Sequence, residues 1–120
     1  MSTLIWRLCV VALLLADSPA FADALKVPQI QLTRTLTQTY QCDGGKSLQV
    51  TYLNAANGQS FALIPIEGKP LLFVDTLAAS GVRYQAGRYV WWSKGNNGDL
   101  YDVMQGEQAA PVMAACAAVK

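Results

Sequence analysis

Ser47-Leu48-Gln49-Val50-Thr51-Tyr52-Leu53 alternates polar and apolar residues, with Leu48, Val50 and Tyr52 falling on one face. A period of two is the signature of a half-buried β-strand, because successive side chains leave a pleated backbone on opposite sides. Just upstream, Asp43-Gly44-Gly45-Lys46 reads as a turn. Before it, the Thr-rich segment Thr35–Cys42 puts Leu36, Tyr40 and Cys42 on one side, so the two segments form a hairpin. Downstream, Asn54–Gly58 is a second turn cluster and Gln59–Pro65 a third strand. Glu67-Gly68-Lys69-Pro70 turns again, and Leu71–Ala78 is a fourth strand.

The pattern continues to the C-terminus. Val82–Ala86 and Tyr89–Ser93 are strands joined near Gly87, and Asp99–Met104 is the seventh. Ala109–Val119 is alanine-rich and favours helix by propensity. Pro111, and the need for Cys116 to reach the strand that carries Cys42, favour a short last strand instead. Many short strands with closely spaced turns predict an all-β fold, a small antiparallel barrel or sandwich.

The 120 residues suffice for one domain. Residues 1–22 read as a secretory signal peptide: Arg7 near the start, the apolar run Leu8–Leu15, and Pro19 ahead of the small-residue site Ala20-Phe21-Ala22. The run is short of the roughly 20 residues that span a bilayer. Cys9 lies inside the run rather than after it, which argues against lipidation. Cleavage near Ala22 leaves an exported, soluble chain without a membrane anchor. Residues 23–34, which include Pro28, read as an irregular segment ahead of a domain spanning 35–120.

Removing the leader takes one basic and one acidic residue, so the net charge stays at +1. A near-neutral chain has no electrostatic footprint for nucleic acid or an anionic membrane. Two cysteines remain, Cys42 and Cys116. In an oxidising compartment the default reading is a disulfide, which would close a loop of about 75 residues and contribute roughly 4.5 kcal/mol in the chain-entropy picture. A metal-binding pair would lack neighbouring ligands, since the sequence contains no histidine. The missing histidine also removes the commonest general base, no nucleophile sits in a recognisable setting, and no phosphate-binding loop runs from strand to helix. The carboxylates Asp75, Asp99 and Asp102 are scattered, as solvated strand edges and turns would have them. A binding protein without catalysis, cofactor or metal fits this inventory better than an enzyme.

The stretch suited to binding runs from Ser80 to Leu100. Ser80-Gly81 and Lys94-Gly95 are turn signals that bracket an aromatic segment containing Tyr84, Tyr89, Trp91 and Trp92. Glycine after each polar residue permits positive φ, so a hydroxyl and an ammonium can stand at neighbouring loop tips. Such a pair suits a target that carries carboxylates. Alternation sends one of the two tryptophans inward, and Tyr84 and Tyr89 carry the same ambiguity.

Tyr40-x-Cys42, Leu48-x-Val50-x-Tyr52, Ser80-Gly81-x-x-Tyr84, Trp91-Trp92-x-Lys94-Gly95, Leu100 and Cys116 occur in that order. Over roughly Tyr40–Cys116 the chain resembles the membrane-bound and periplasmic inhibitors of c-type lysozyme, the MliC/PliC family. The resemblance implies an eight-stranded antiparallel barrel closed by a Cys42–Cys116 disulfide, a periplasmic location, and c-type lysozyme as partner. It further implies that Ser80, Gly81, Tyr84, Lys94 and Gly95 form the inhibitory surface, with Ser80 and Lys94 addressing the two catalytic carboxylates. A homodimer is left open. Gly98 stands where the family tends to have alanine, which is expected to loosen the second loop. A net charge of +1 offers no long-range attraction to a basic lysozyme, leaving affinity to shape and local pairing. Two other classes remain: a carbohydrate- or peptidoglycan-binding module stacking sugars on Trp91, Trp92 and Tyr84, and a hollow barrel carrying an apolar ligand.

Overall fold

The computed structural model describes residues 24–120; the leader expected over 1–22 lies outside the described residues. Eight antiparallel strands close into a barrel in chain order: β1 Leu32–Gln41, β2 Ser47–Ala55, β3 Ser60–Ile66, β4 Lys69–Thr76, β5 Val82–Ala86, β6 Tyr89–Lys94, β7 Asn97–Asp102 and β8 Met113–Ala118. The alternation in β2 sets the pattern. Leu48 and Val50 point inward, with Tyr40 on β1, Ala62 and Ile64 on β3, Phe73 on β4, Tyr84 on β5, Trp91 on β6 and Leu100 on β7. Side chains fill the interior, as expected of a barrel this small. Trp91, Phe73, Ile64 and Val50 are fully buried and occupy the interior that the hollow-carrier reading needs open.

A polar thread runs through this core. The Trp91 Nε1–H donates to the Tyr52 hydroxyl at 2.9 Å, and the Tyr52 and Tyr40 hydroxyls share a hydrogen bond of 2.7 Å. The Tyr40 ring meets the Trp91 indole edge-on at 5.0 Å between centroids. Buried aromatic N–H and O–H groups need partners, and these satisfy one another. Burial, and then the Tyr52 hydrogen bond, push the Tyr40 phenol well above its ordinary value of 10.0; burial chiefly raises that of Tyr84 to about 12.

Several sequence expectations need adjustment. The first strand starts at Leu32, within the segment expected to be irregular, and pairs with β2 out to Ala55 across a register shift between Leu32 and Arg34. Leu36 shares the inward parity of Tyr40 but stands 47% exposed, because β1 runs past the filled part of the barrel. The seventh strand begins at Asn97 rather than Asp99 and gives way to a 3-10 turn at Val103–Gln105. Its hairpin to β6 needs only Gly95 and Asn96, with Lys94 paired to Asn97. Gly95 at φ 58° is the glycine that a two-residue hairpin of this kind needs at its first loop position.

Gly98 does not loosen that loop. It lies in β7 opposite Cys116, and a Cβ there would run into the ring of Trp91. The glycine seats the tryptophan.

The last segment is a strand, as Pro111 and the cysteine requirement suggested. β8 closes the barrel against β1 through Tyr40↔Ala118 and Gln41↔Ala117, and Cys42 is bonded to Cys116. Between Cys116 and Met113 the register with β7 shifts, and Ala115 adopts a positive φ of 51°. The Asp99 carboxylate accepts the Ala115 N–H at 2.8 Å and supports this bulge. Asp102 is likewise no solvated edge residue. It is 7% exposed and takes a two-pronged interaction from Arg88, at 2.9 and 2.6 Å, plus the Met104 N–H at 3.0 Å. Its hydrogen bond to Arg88 holds the carboxyl below the ordinary carboxylate range and ties the β5–β6 turn to the end of β7.

Candidate functional site

Antiparallel order places the β4–β5 and β6–β7 connections at the same end of the barrel. Residues 77–81 form the first connection, with Ser80 exposed. Thr76 and Arg83 are cross-strand partners at its stem: the Thr76 hydroxyl donates to the Arg83 carbonyl at 3.3 Å, and the Arg83 guanidinium donates back to that hydroxyl at 3.2 Å. Lys94 ends β6, immediately before the Gly95-Asn96 turn.

Trp92 joins the two connections. Its neighbour Trp91 points into the core, so alternation sends Trp92 outward. There its Nε1–H donates to the Ser80 carbonyl at 2.9 Å, while the Lys94 ammonium sits 4.8 Å from its ring centroid. One indole thus fixes the backbone of the first loop and steadies the cation of the second. Gly81 allows the loops to approach this closely. At φ 65°, a Cβ there would overlap the Ser93 carbonyl oxygen and come within 2.7 Å of Lys94 Cγ. Any side chain at 81 would drive the loops apart.

Four of the five expected contact residues, Ser80, Gly81, Lys94 and Gly95, are therefore neighbours at one end of the barrel. Tyr84 is not among them. Its ring is 6% exposed and packs against Tyr52 inside the barrel, with centroids 5.7 Å apart. Inward parity on β5 turns its side chain into the core. The same parity on β6 removes Trp91, so the proposed sugar-stacking platform keeps only Trp92.

Sequence reading missed two outward residues beside Trp92. Arg83 pairs across from it on β5, and Tyr101 follows the inward Leu100 on β7. The alternation of β7 could have identified Tyr101, had the strand been started at Asn97. Trp92 and Tyr101 separate two shallow grooves. One, of about 240 Å³, is lined by Lys94, Asn97 and Asp99; the other, of about 320 Å³, by Arg83, Val103 and Glu107. Among the described residues no group of three or more His, Cys, Asp or Glu side chains is placed to hold a metal. The surface offers hydrogen-bond donors, one ammonium and an aromatic shelf, which is the chemistry of recognition.

The sequence family described as membrane-bound lysozyme-inhibitor of c-type lysozyme matches residues 40–109. A Cupriavidus necator protein named membrane-bound lysozyme inhibitor of C-type lysozyme is 49% identical over 96 residues, covering 80% of this chain and 72% of that protein. The Pseudomonas aeruginosa protein of the same name is 35% identical over 88 residues, covering 72% of this chain and 68% of its own length. Among solved structures, P. aeruginosa MliC in complex with hen egg white lysozyme superposes with a TM-score of 0.64 at 32% identity, over 83% of this chain and 98% of that one. PliC from Salmonella typhimurium, a periplasmic lysozyme inhibitor of C-type lysozyme, shares the fold with a TM-score of 0.64 at 23% identity, over 72% of this chain and all of that one.

Proposed function

The chain belongs to the family of membrane-bound lysozyme inhibitors of c-type lysozyme, and from that premise we propose that it inhibits c-type lysozyme by inserting the Ser80 and Lys94 loops into the enzyme's cleft. It is an inhibitor and not itself an enzyme. The observation that carries the loop reading is the tie between the two connections, through the Trp92–Ser80 hydrogen bond and the close packing of Gly81 on Lys94. A retaining glycosidase of this kind holds two carboxyl groups about 5 Å apart, one protonated and one ionised. Lys94 pairs with the ionised group. The Ser80 hydroxyl donates to or accepts from either. Each contact replaces one that substrate or water would make, and in a water-poor cleft a hydrogen bond to a charged group contributes roughly 1.5–3 kcal/mol. Pre-assembled loops make these contacts without an added ordering cost.

The exported location belongs to the same proposal. The relatives' names place them at a membrane, and no helix among the described residues is long and apolar enough to cross one. We assign the domain to the periplasm, after removal of residues 1–22. Intact-mass analysis of exported protein should give a chain beginning near Asp23; lipid mass on Cys9 would replace the soluble reading with an anchored one.

The functional test is turnover of peptidoglycan by hen egg white lysozyme in the presence of the purified protein. Inhibition should saturate at one domain per enzyme. Unchanged lysis at saturating protein, with the domain retained on peptidoglycan instead, would transfer the surface around Trp92 to carbohydrate binding.

A further inference from the structure

Leu77 is 97% exposed, more than any other large apolar residue among those described. It opens the connection that carries Ser80, and its neighbours Ala78 and Ala79 are apolar too. Nothing in the barrel's own packing uses this side chain, which lies outside the core cluster. A mobile loop could bury such a leucine against itself, but this loop is anchored at both ends. Thr76 and Arg83 clamp its stem, and Trp92 and the Gly81 contacts hold its far side. The leucine is therefore presented to solvent on a pre-ordered support, in the loop that carries Ser80 and at the barrel end that carries Lys94. An exposed apolar group on a rigid base, at an end that also carries polar groups, has the composition of an interface anchor.

We propose that Leu77 is the apolar anchor of the inhibitory surface, seating in an apolar depression of lysozyme beside the catalytic cleft while Ser80 and Lys94 address the carboxylates. This rests on the inhibitor reading above and adds to it a contact that is not electrostatic. The balance of charge favours such a contact. A chain of net charge +1 gains no long-range attraction to a basic partner, so much of the affinity must come from area removed from water. Burying most of a leucine side chain contributes enough to change affinity by roughly ten- to a hundredfold.

Titration calorimetry of the purified protein against hen egg white lysozyme tests this with Leu77→Ala, Leu77→Gln and Lys94→Ala. Leu77→Ala should weaken binding by about tenfold or more and Leu77→Gln by at least as much, with melting temperatures unchanged. The Leu77→Ala loss should be the same at low and high salt, whereas the Lys94→Ala loss shrinks as salt rises. Hydrogen exchange should show residues 77–79 protected in the complex. Leu77 variants that bind like wild type while Lys94→Ala binds weakly would overturn the anchor and leave the inhibitor reading standing. A melting temperature lowered by Leu77→Gln would overturn it as well, by showing that the leucine serves the fold. Failure of the wild-type protein to bind lysozyme would remove the inhibitor reading, and the anchor with it.

Discussion

Trp91 and Trp92 are consecutive, chemically identical and structurally opposed. Trp91 is wholly enclosed, with its N–H on Tyr52 and its ring over Gly98. Trp92 lies on the outside, with its N–H on the Ser80 carbonyl and its face toward Lys94. A single step along a pleated strand moves the same side chain from the barrel's core to the surface proposed for recognition. On that proposal, stability and binding are divided between the two faces of one strand.

The sharpest way to break this division is to truncate each ring in turn. Trp91→Ala should lower unfolding free energy by about 3–5 kcal/mol in urea titration, because it leaves a large cavity and removes one of the two hydrogen bonds to the Tyr52 hydroxyl. Trp92→Ala should cost much less stability and yet weaken lysozyme inhibition, by releasing the Ser80 loop. Equal stability losses would show that the outward ring also serves the core. Next in size is the site itself. Lys94→Ala should weaken inhibition by about 2–4 kcal/mol and Ser80→Ala by about 1–2, with normal melting curves for both. Lys46→Ala and Lys69→Ala, in turns away from the site, should be nearly silent in the same assay. If Lys94→Ala inhibits normally, the contact surface lies elsewhere.

Gly98→Ala probes the inner face more gently. The added methyl must displace the Trp91 ring, and overpacking of this kind costs about 1–3 kcal/mol. A neutral result would mean that the indole has room to shift. The smallest effect comes from pH. Tyr40 and Tyr84 have phenol pKa values raised above 10.0 by burial, so the folded state keeps its protons after the unfolded chain has lost them. Their contribution is complete below pH 10 and is lost above it, at roughly 1 kcal/mol per tyrosine by pH 11. Denaturation midpoints followed from pH 8 to 11 should stay level and then fall. A Tyr84→Phe variant should fall less steeply.

The strands of this barrel were legible wherever one face is apolar and the other polar, as in Ser47–Leu53. They were misjudged where parity and burial part company. Leu36 has the inward parity of Tyr40 but lies beyond the filled interior, and periodicity carries no information about where a barrel's packing ends. Gly98 reads as loosening the second loop because the resembled family tends to have alanine there; its reason for being there is a ring folded onto β7 from a neighbouring strand. Tyr84 was placed in the contact set because it sits in a recognisable motif. Its inward parity was equally visible, and the structure packs it against Tyr52 inside the barrel. That Ser80 and Lys94 lie at turns could be read in advance, but the coupling of the two turns could not. Trp92 reaching a carbonyl twelve residues away depends on strand register, which no local pattern records.

The closure of β1 against β8 has a consequence beyond holding the fold. Every other neighbouring pair is joined by a connecting segment, whereas this seam rests on two register pairs, the hydrogen bonds of Val119 with Thr39 and Gln38, and the Cys42–Cys116 bond. Reduction leaves the two registered pairs without their covalent staple. If they part, the barrel becomes an open eight-stranded sheet with two bare edges, each able to pair with another chain. The cysteines therefore guard against self-association as well as unfolding, and the loss should appear first as oligomers in reducing buffer.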